Sequence, residues 1–158
     1  MGFYLCDPLS PLGGPVGIDP DLVLRVHLNK DEVIKALIEF LMEKEEIIFA
    51  YLHGSFLEGE FYRDIDVAVY VDPEKVKDFL SYELKLAVEL ELLLKYPVDV
   101  RVLNDAPPAF RYRVLHGKLL FTRDEEKWLE FYDLTVREYL DFRHFEREMR
   151  RELLHRGS

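Results

Sequence analysis

The sequence has little cysteine, no long apolar run and no excess of positive charge. Its one cysteine, Cys6, cannot form a disulfide within the chain, which favours a reducing compartment such as the cytoplasm. No apolar run approaches the ~18 residues of a transmembrane helix, and no basic stretch precedes an apolar one near the N-terminus. We therefore expect neither a membrane span nor a secretory signal. The net charge of −10 argues against duplex DNA or RNA as a substrate and favours a partner with a basic face.

The composition is that of a globular protein, with 49% hydrophobic and 33% charged residues in a chain of 158. This length predicts one domain with a substantial core. Prolines and glycines cluster near the N-terminus, so residues 1–25 are predicted to form an arm and residues 26–158 the domain.

Strand-like segments alternate with segments of helical periodicity. Helices are predicted at about 31–44, 72–95, 107–117 and 124–154, and strands at about 46–52, 64–71, 98–103 and 118–122. The alternation predicts an α/β fold with about four strands, helices on at least one face and a long C-terminal helix.

Capping residues predict where three of these helices begin. Asn29 with Glu32 forms one capping box, and Thr122 with Glu125 forms another. Asp72 followed by a proline predicts an N-cap for the second helix.

The last predicted helix is rich in aromatic residues. We expect most of them to pack against the sheet, and any left exposed would be candidates for a partner or homodimer surface. The aromatic residues are Trp128, Phe131, Tyr132, Tyr139, Phe142 and Phe145.

Three aspartates lie within two strand-like segments that are otherwise apolar: Asp64 and Asp66 in one, Asp99 in the other. Side chains alternate between the faces of a strand, so all three point to one side if the β-branched faces of both strands cover the same helices. Two carboxylates 4 Å apart repel by roughly 1 kcal/mol in water and about 4 kcal/mol at an effective dielectric of 20. Such a cluster predicts either raised pKa values or a bound cation, and its oxygen ligands suit Mg²⁺.

A Gly-Ser pair, Gly54 and Ser55, follows an apolar strand-like run and precedes the aspartates. Glycine lets the backbone approach a phosphate closely, and serine with neighbouring N–H groups can hold anionic oxygens. The pair is also common in ordinary turns. His53, just before it, is expected to bond to backbone rather than to contact a nucleotide.

The pattern Gly54-Ser55, eight residues, Asp64-x-Asp66, then Asp99 on a later strand resembles the DNA polymerase β-like nucleotidyltransferase superfamily. The segments 111–121 and 137–142 resemble the MntA group, the antitoxin half of a pair with a HEPN-domain toxin. The resemblance implies a mixed sheet and a minimal nucleotidyltransferase that transfers AMP from ATP to a tyrosine of that toxin.

The resemblance also implies residue roles. Asp64, Asp66 and Asp99 would form the catalytic metal site, holding Mg²⁺, two ions in all, and Asp99 could help deprotonate the acceptor hydroxyl. Gly54 and Ser55 would hold the triphosphate.

The loop after the Gly-Ser pair departs from the family, because the spacing to Asp64 is short and Glu58 stands where a basic residue is common. Arg63 either compensates for this acidic side chain by binding the nucleotide or is simply solvated. Two alternative functions therefore stay open: a catalytically weak antitoxin that neutralises its toxin by binding, and nucleotidylation of a small-molecule acceptor.

Overall fold

A four-stranded mixed sheet organises the chain. The computed structural model describes residues 29–157. In chain order, the elements are α1 (Lys30–Met42), β1 (Ile47–His53), α2 (Ser55–Glu58), β2 (Ile65–Val71), α3 (Phe79–Leu94), β3 (Val98–Val102), α4 (Pro108–Leu115), β4 (Lys118–Thr122) and α5 (Glu125–Arg156). The strand order is β3-β2-β1-β4, with β2 and β3 parallel and β1 antiparallel to both β2 and β4.

This architecture confirms the predicted α/β class, the mixed sheet of four strands and the long C-terminal helix. The predicted N-terminal arm, residues 1–25, lies outside the described residues, so the domain boundary stays a prediction.

Helices cover both faces of the sheet. The first core cluster combines β-branched residues of β2 and β3, such as Val67 and Val100, with leucines of α1 and α3. The second combines Ala68 of β2 with Val114 of α4 and Phe131 of α5. Successive residues of a strand point to opposite faces, so the even-numbered positions of β2 face α4 and α5.

Three capping predictions have different outcomes. Asn29 is the N-cap of α1, and its side chain accepts a hydrogen bond from the Asp31 N–H. The predicted cap at Thr122 is wrong: Asp124 caps α5 by accepting from the Lys127 N–H. Thr122 is still the last residue of β4, and its hydroxyl accepts from the Asp124 N–H.

The prediction that Asp72 caps the second helix is also wrong. Asp72 starts an isolated turn, in which its backbone carbonyl accepts from the Lys75 and Val76 N–H groups. Val76 is buried in the core, so the turn is held against the domain. α3 begins only at Phe79, after Asp78, whose carboxylate accepts from both the N–H and the hydroxyl of Ser81.

Only the first half of α5 packs on the domain. Phe131 and Thr135 are buried, whereas every residue from Leu140 to Gly157 is exposed. The expectation that most aromatic residues of this helix pack on the sheet is therefore wrong, since three of the six, Tyr132, Phe142 and Phe145, are 43%, 46% and 62% exposed. At 1.5 Å per residue the helix is about 48 Å long, and strands of five to seven residues span roughly half of that.

No helix within residues 29–157 combines the length and the apolar character that a membrane crossing requires.

Candidate functional site

The candidate site lies where β1, β2 and β3 bring polar residues side by side. Asp66 of β2 is the register partner of Asp99 on the parallel strand β3 and of His53 on the antiparallel strand β1. Both aspartates alternate with residues of the first core, so they lie on the face that α4 and α5 cover. The predicted placement of Asp66 and Asp99 on one side of the sheet is thus what the register shows.

A cavity of about 440 Å³ opens at this place, and Asp66 and Asp99 line it together with Gly54. Of the other predicted site residues, Asp64, Ser55 and Arg63 do not line it. Asp64 directly precedes β2, while Ser55 and Arg63 are exposed. A nucleotide-binding role for Ser55 and Arg63 stays a prediction.

The carboxylate of Asp66 is the most perturbed acidic group of the cavity. Burial, together with the smaller effects of the Asp64 and Asp99 charges, raises its pKa to about 6. Three carboxylates thus share one electrostatic environment, which favours either a proton or a cation.

The three carboxylates nevertheless do not form a closed metal cage. Within the part of the chain that the structure describes, no group of three or more His, Cys, Asp or Glu residues is arranged to hold a metal ion. The arrangement that does line the cavity is the pair Asp66 and Asp99. A pair fits Mg²⁺, because this ion usually takes one or two carboxylates together with water and substrate phosphates.

Gly54 is required by the close approach of β1 to Asp66. Its φ of +82° lies in a region that other residues rarely adopt, and a Cβ there would overlap Oδ2 of Asp66. The sequence predicted a glycine that permits close approach to a phosphate, and the close neighbour in the structure is a carboxylate.

His53 has a different environment from the expected one. Its Nε2 atom is buried and has no hydrogen-bond partner, so the expected bond to backbone is not formed at this atom. The ring instead meets Phe110 edge-on, with centroids 5.6 Å apart. Burial, together with the charges of Arg113 and Arg101, lowers the pKa of His53 to about 4, which leaves the ring neutral at pH 7.

Sequence reasoning missed the contribution of α4 and the residues after it. Phe110, Arg113 and His116 line the cavity with the aspartates. Gly117 lets this segment approach the end of β1, because a Cβ there would overlap the Leu52 carbonyl oxygen. The two prolines and the glycine predicted the helix but not the path it takes across the sheet. The available signal for a site here was the presence of two basic residues, Arg113 and His116, within one short predicted helix.

The chain is similar to known proteins in sequence pattern and in fold. A family model described as "Polymerase beta, Nucleotidyltransferase" matches residues 35–126, more than half of the chain. A search of curated proteins returned no match.

Several solved structures share the fold. A chain in the structure of a tri-AMPylated Shewanella oneidensis HEPN toxin in complex with MNT antitoxin is 22% identical, with a TM-score of 0.62, over 80% of this chain and 99% of that one. A toxin–antitoxin structure with AMP-PNP contains a chain 26% identical, with a TM-score of 0.60 and the same coverage. A third, the toxin–antitoxin MntA-HepT, is 21% identical over 78% of this chain and 98% of that one, with a TM-score of 0.60.

Proposed function

We propose, since the chain belongs to the polymerase β nucleotidyltransferase family, that this nucleotidyltransferase transfers AMP from ATP to a tyrosine hydroxyl of a HEPN toxin and thereby acts as its antitoxin. The observation that carries the proposal is the pairing of Asp66 and Asp99 on adjacent parallel strands, at the wall of a cavity that also includes Gly54. The similar toxin–antitoxin structure with AMP-PNP supports an adenine nucleotide as the substrate.

In this reaction the acceptor oxygen forms a bond to the α-phosphorus of the nucleotide. The bond from that phosphorus to the bridging oxygen breaks, and pyrophosphate leaves with the electron pair. Asp99 accepts the hydroxyl proton, which fits its position at the cavity wall beside Asp66. Holding both reactants in one cavity supplies much of the rate enhancement, because the entropy of their encounter is lost on binding rather than in the transition state.

Asp66 and Asp99 would hold Mg²⁺, with Asp64 adding negative charge nearby. When bound, the ion neutralises phosphate charge and so lowers the barrier to attack by an oxygen nucleophile. The rest of the site consists of the chain's own groups. Gly54 keeps the backbone against Asp66, and the neutral ring of His53 lies at the end of β1.

A protein acceptor is supported by the outer half of α5. The outer stripe of α5 consists of Phe142, Phe145, Met149 and Leu153, which recur at helical spacing on one face. These side chains are 44% to 64% exposed, and contiguous apolar surface of this kind is typical of protein-binding sites. Three similar solved structures are toxin–antitoxin complexes, so a HEPN toxin is the proposed partner, and the use of ATP makes a cytoplasmic location part of the same proposal.

One observation favours the second candidate, an antitoxin that acts by binding alone. Glu58 lines the cavity with the two aspartates, and its negative charge opposes that of a triphosphate. Calorimetric titration with Mg-ATP separates the two candidates, because a pure binder releases no heat up to millimolar nucleotide.

The direct test is AMP transfer from α-³²P-ATP to the purified toxin in the presence of Mg²⁺. We expect labelled toxin with the wild-type chain and a loss of at least about a hundredfold in rate with Asp66→Asn plus Asp99→Asn, because electrostatic stabilisation of this kind is worth that much or more.

Asp105→Asn is the matched control, since this exposed aspartate lies outside the cavity. It should label the toxin at the wild-type rate. Undiminished labelling by the double variant would overturn the proposal, and so would toxin that is neutralised without any labelling.

A further inference from the structure

Besides the carboxylates, the cavity wall contains basic residues contributed by the end of α4 and the residue after it. Arg113 lies in the last turn of α4, and His116 follows the helix. The Nδ1 atom of His116 is 2.9 Å from the Tyr112 carbonyl oxygen, so this ring is already engaged with its own helix. Of these two basic residues, Arg113 is therefore the one whose charged group remains free to bind a ligand.

Phe110 serves as a platform for two arginines. The Cζ of Arg101 lies 5.0 Å and the Cζ of Arg113 5.6 Å from the centroid of this ring. Such cation–π contacts orient a guanidinium without neutralising its charge. Both arginines also lower the pKa of His53, which places their charges close to the end of β1.

The two arginines differ in their ion pairs. Arg101 lies 3.8 Å from Glu83, whereas among residues 29–157 no carboxylate lies within 4 Å of the Arg113 side chain. Arg113 lines the cavity and Arg101 does not. Arg113 thus combines a fixed orientation, an unneutralised charge and access to the cavity.

The acidic wall needs such a cation. Glu58, Asp66 and Asp99 line the same cavity, so a polyphosphate entering it meets three carboxylates. Glu58 comes from the separate helix α2, so its negative charge adds to those of the two aspartates that would hold a cation. Arg63, which lies three residues before Asp66 in the sequence, does not line the cavity.

We propose that Arg113 binds the β- and γ-phosphates of the nucleotide, and so receives the pyrophosphate leaving group. This inference rests on the proposed nucleotidyl transfer. A guanidinium is suited to the task because its planar donors match phosphate oxygens and it keeps its charge at every working pH. The α-phosphate and the nucleoside do not depend on this contact.

The test compares the affinities of ATP and AMP by calorimetry with Mg²⁺. We expect the wild type to bind ATP more tightly than AMP. Arg113→Gln should weaken ATP binding by about tenfold or more, since a charge-assisted hydrogen bond contributes roughly that factor, and should change AMP binding less than about twofold. Inhibition of AMP transfer by added pyrophosphate should weaken by a similar factor.

Arg101→Gln is the matched control, because Arg101 contacts the same Phe110 ring but does not line the cavity. It should leave the ratio of the two affinities unchanged. A wild-type ratio in Arg113→Gln, in a chain that still transfers AMP, would overturn this inference alone. A wild-type chain that binds neither nucleotide would overturn the proposed function as well. Since Arg113 and Arg101 are both exposed, we expect Arg113→Gln and Arg101→Gln to fold normally, as the thermal unfolding transition would show.

Discussion

Gly54 and Asp66 lie so close together that a Cβ on the glycine would overlap Oδ2 of the aspartate. The contact joins the end of β1 to the middle of the site, and the φ of +82° makes any other residue strained at this position. The glycine thus fixes where the Asp66 carboxylate lies.

Gly54→Ala should therefore displace the Asp66 carboxylate. We expect the free energy of unfolding to fall by about 1–3 kcal/mol, because a strained backbone conformation costs that amount, and AMP transfer to fall at least tenfold. Urea unfolding and the labelling assay measure the two effects. Gly59→Ala is the control, since a Cβ there meets atoms no closer than 3.5 Å. Equal losses in both variants would contradict the special role of Gly54.

Asp66→Asn should change how stability depends on pH in the metal-free chain. The pKa of Asp66 is about 6 in the folded chain and 3.8 as an ordinary aspartate, so the folded chain binds more protons between these values. The stability contributed by this proton is complete below about pH 4 and is lost as the pH rises through about 6.

The variant lacks this dependence, so its free energy of unfolding relative to the wild type should rise between pH 4 and 6 and then level off. Urea unfolding with a chelator present, repeated across this range, provides the measurement. A difference that stays flat with pH would contradict the raised pKa.

Thr135 is fully buried where α5 packs on the domain, and its hydroxyl oxygen has no hydrogen-bond partner. Thr135→Val should raise the free energy of unfolding by about 1 kcal/mol, because it removes an unsatisfied buried polar atom. Thr135→Ser keeps the hydroxyl and loses a methyl group, so it should lower the same quantity by about 1 kcal/mol. Chemical denaturation of both variants tests the sign, and destabilisation by valine would show that the hydroxyl has a partner.

The outer stripe of α5 should bind the toxin. Phe142→Ser plus Phe145→Ser should weaken the affinity for the toxin at least tenfold and leave the affinity for Mg-ATP unchanged, since buried aromatic side chains dominate interface energies and the stripe is remote from the cavity. Leu84→Ser plus Val88→Ser, on α3, is the control pair with 62% and 55% exposure. Equal weakening by both pairs, or by neither, would contradict a docking role for α5.

Much of the sheet follows from the sequence because its strands are buried on one or both faces. The alternation around Asp66 and Asp99 placed them on one side, and the register confirms it. The same reasoning does not reach Asp64, which directly precedes β2 and does not line the cavity, so its metal-binding role stays a prediction. The alternation of side chains predicts which face a residue within a strand points to. It says little about a residue just before the strand begins.

The helical parts were harder to predict for a different reason. Asp72 and Asp78 are both residues that can cap a helix. The burial of Val76, which is a tertiary contact, decides that Asp78 is the cap of α3. The position of Arg113 likewise depends on the direction in which α4 crosses the sheet, which no local pattern encodes. The periodicity of α5 correctly indicated a helix. The length of that helix that can pack on the sheet, however, depends on the length of the strands.

The cavity takes residues from the ends of three strands and from the segment that leads into the fourth. A fragment that lacks any of the four strands therefore cannot form this cavity, because its lining residues meet only once β3, β2, β1 and β4 have assembled in order. If the chain has the proposed function, proteolysis that removes any strand should abolish AMP transfer at once rather than by degrees, and toxin made afterwards would remain unmodified.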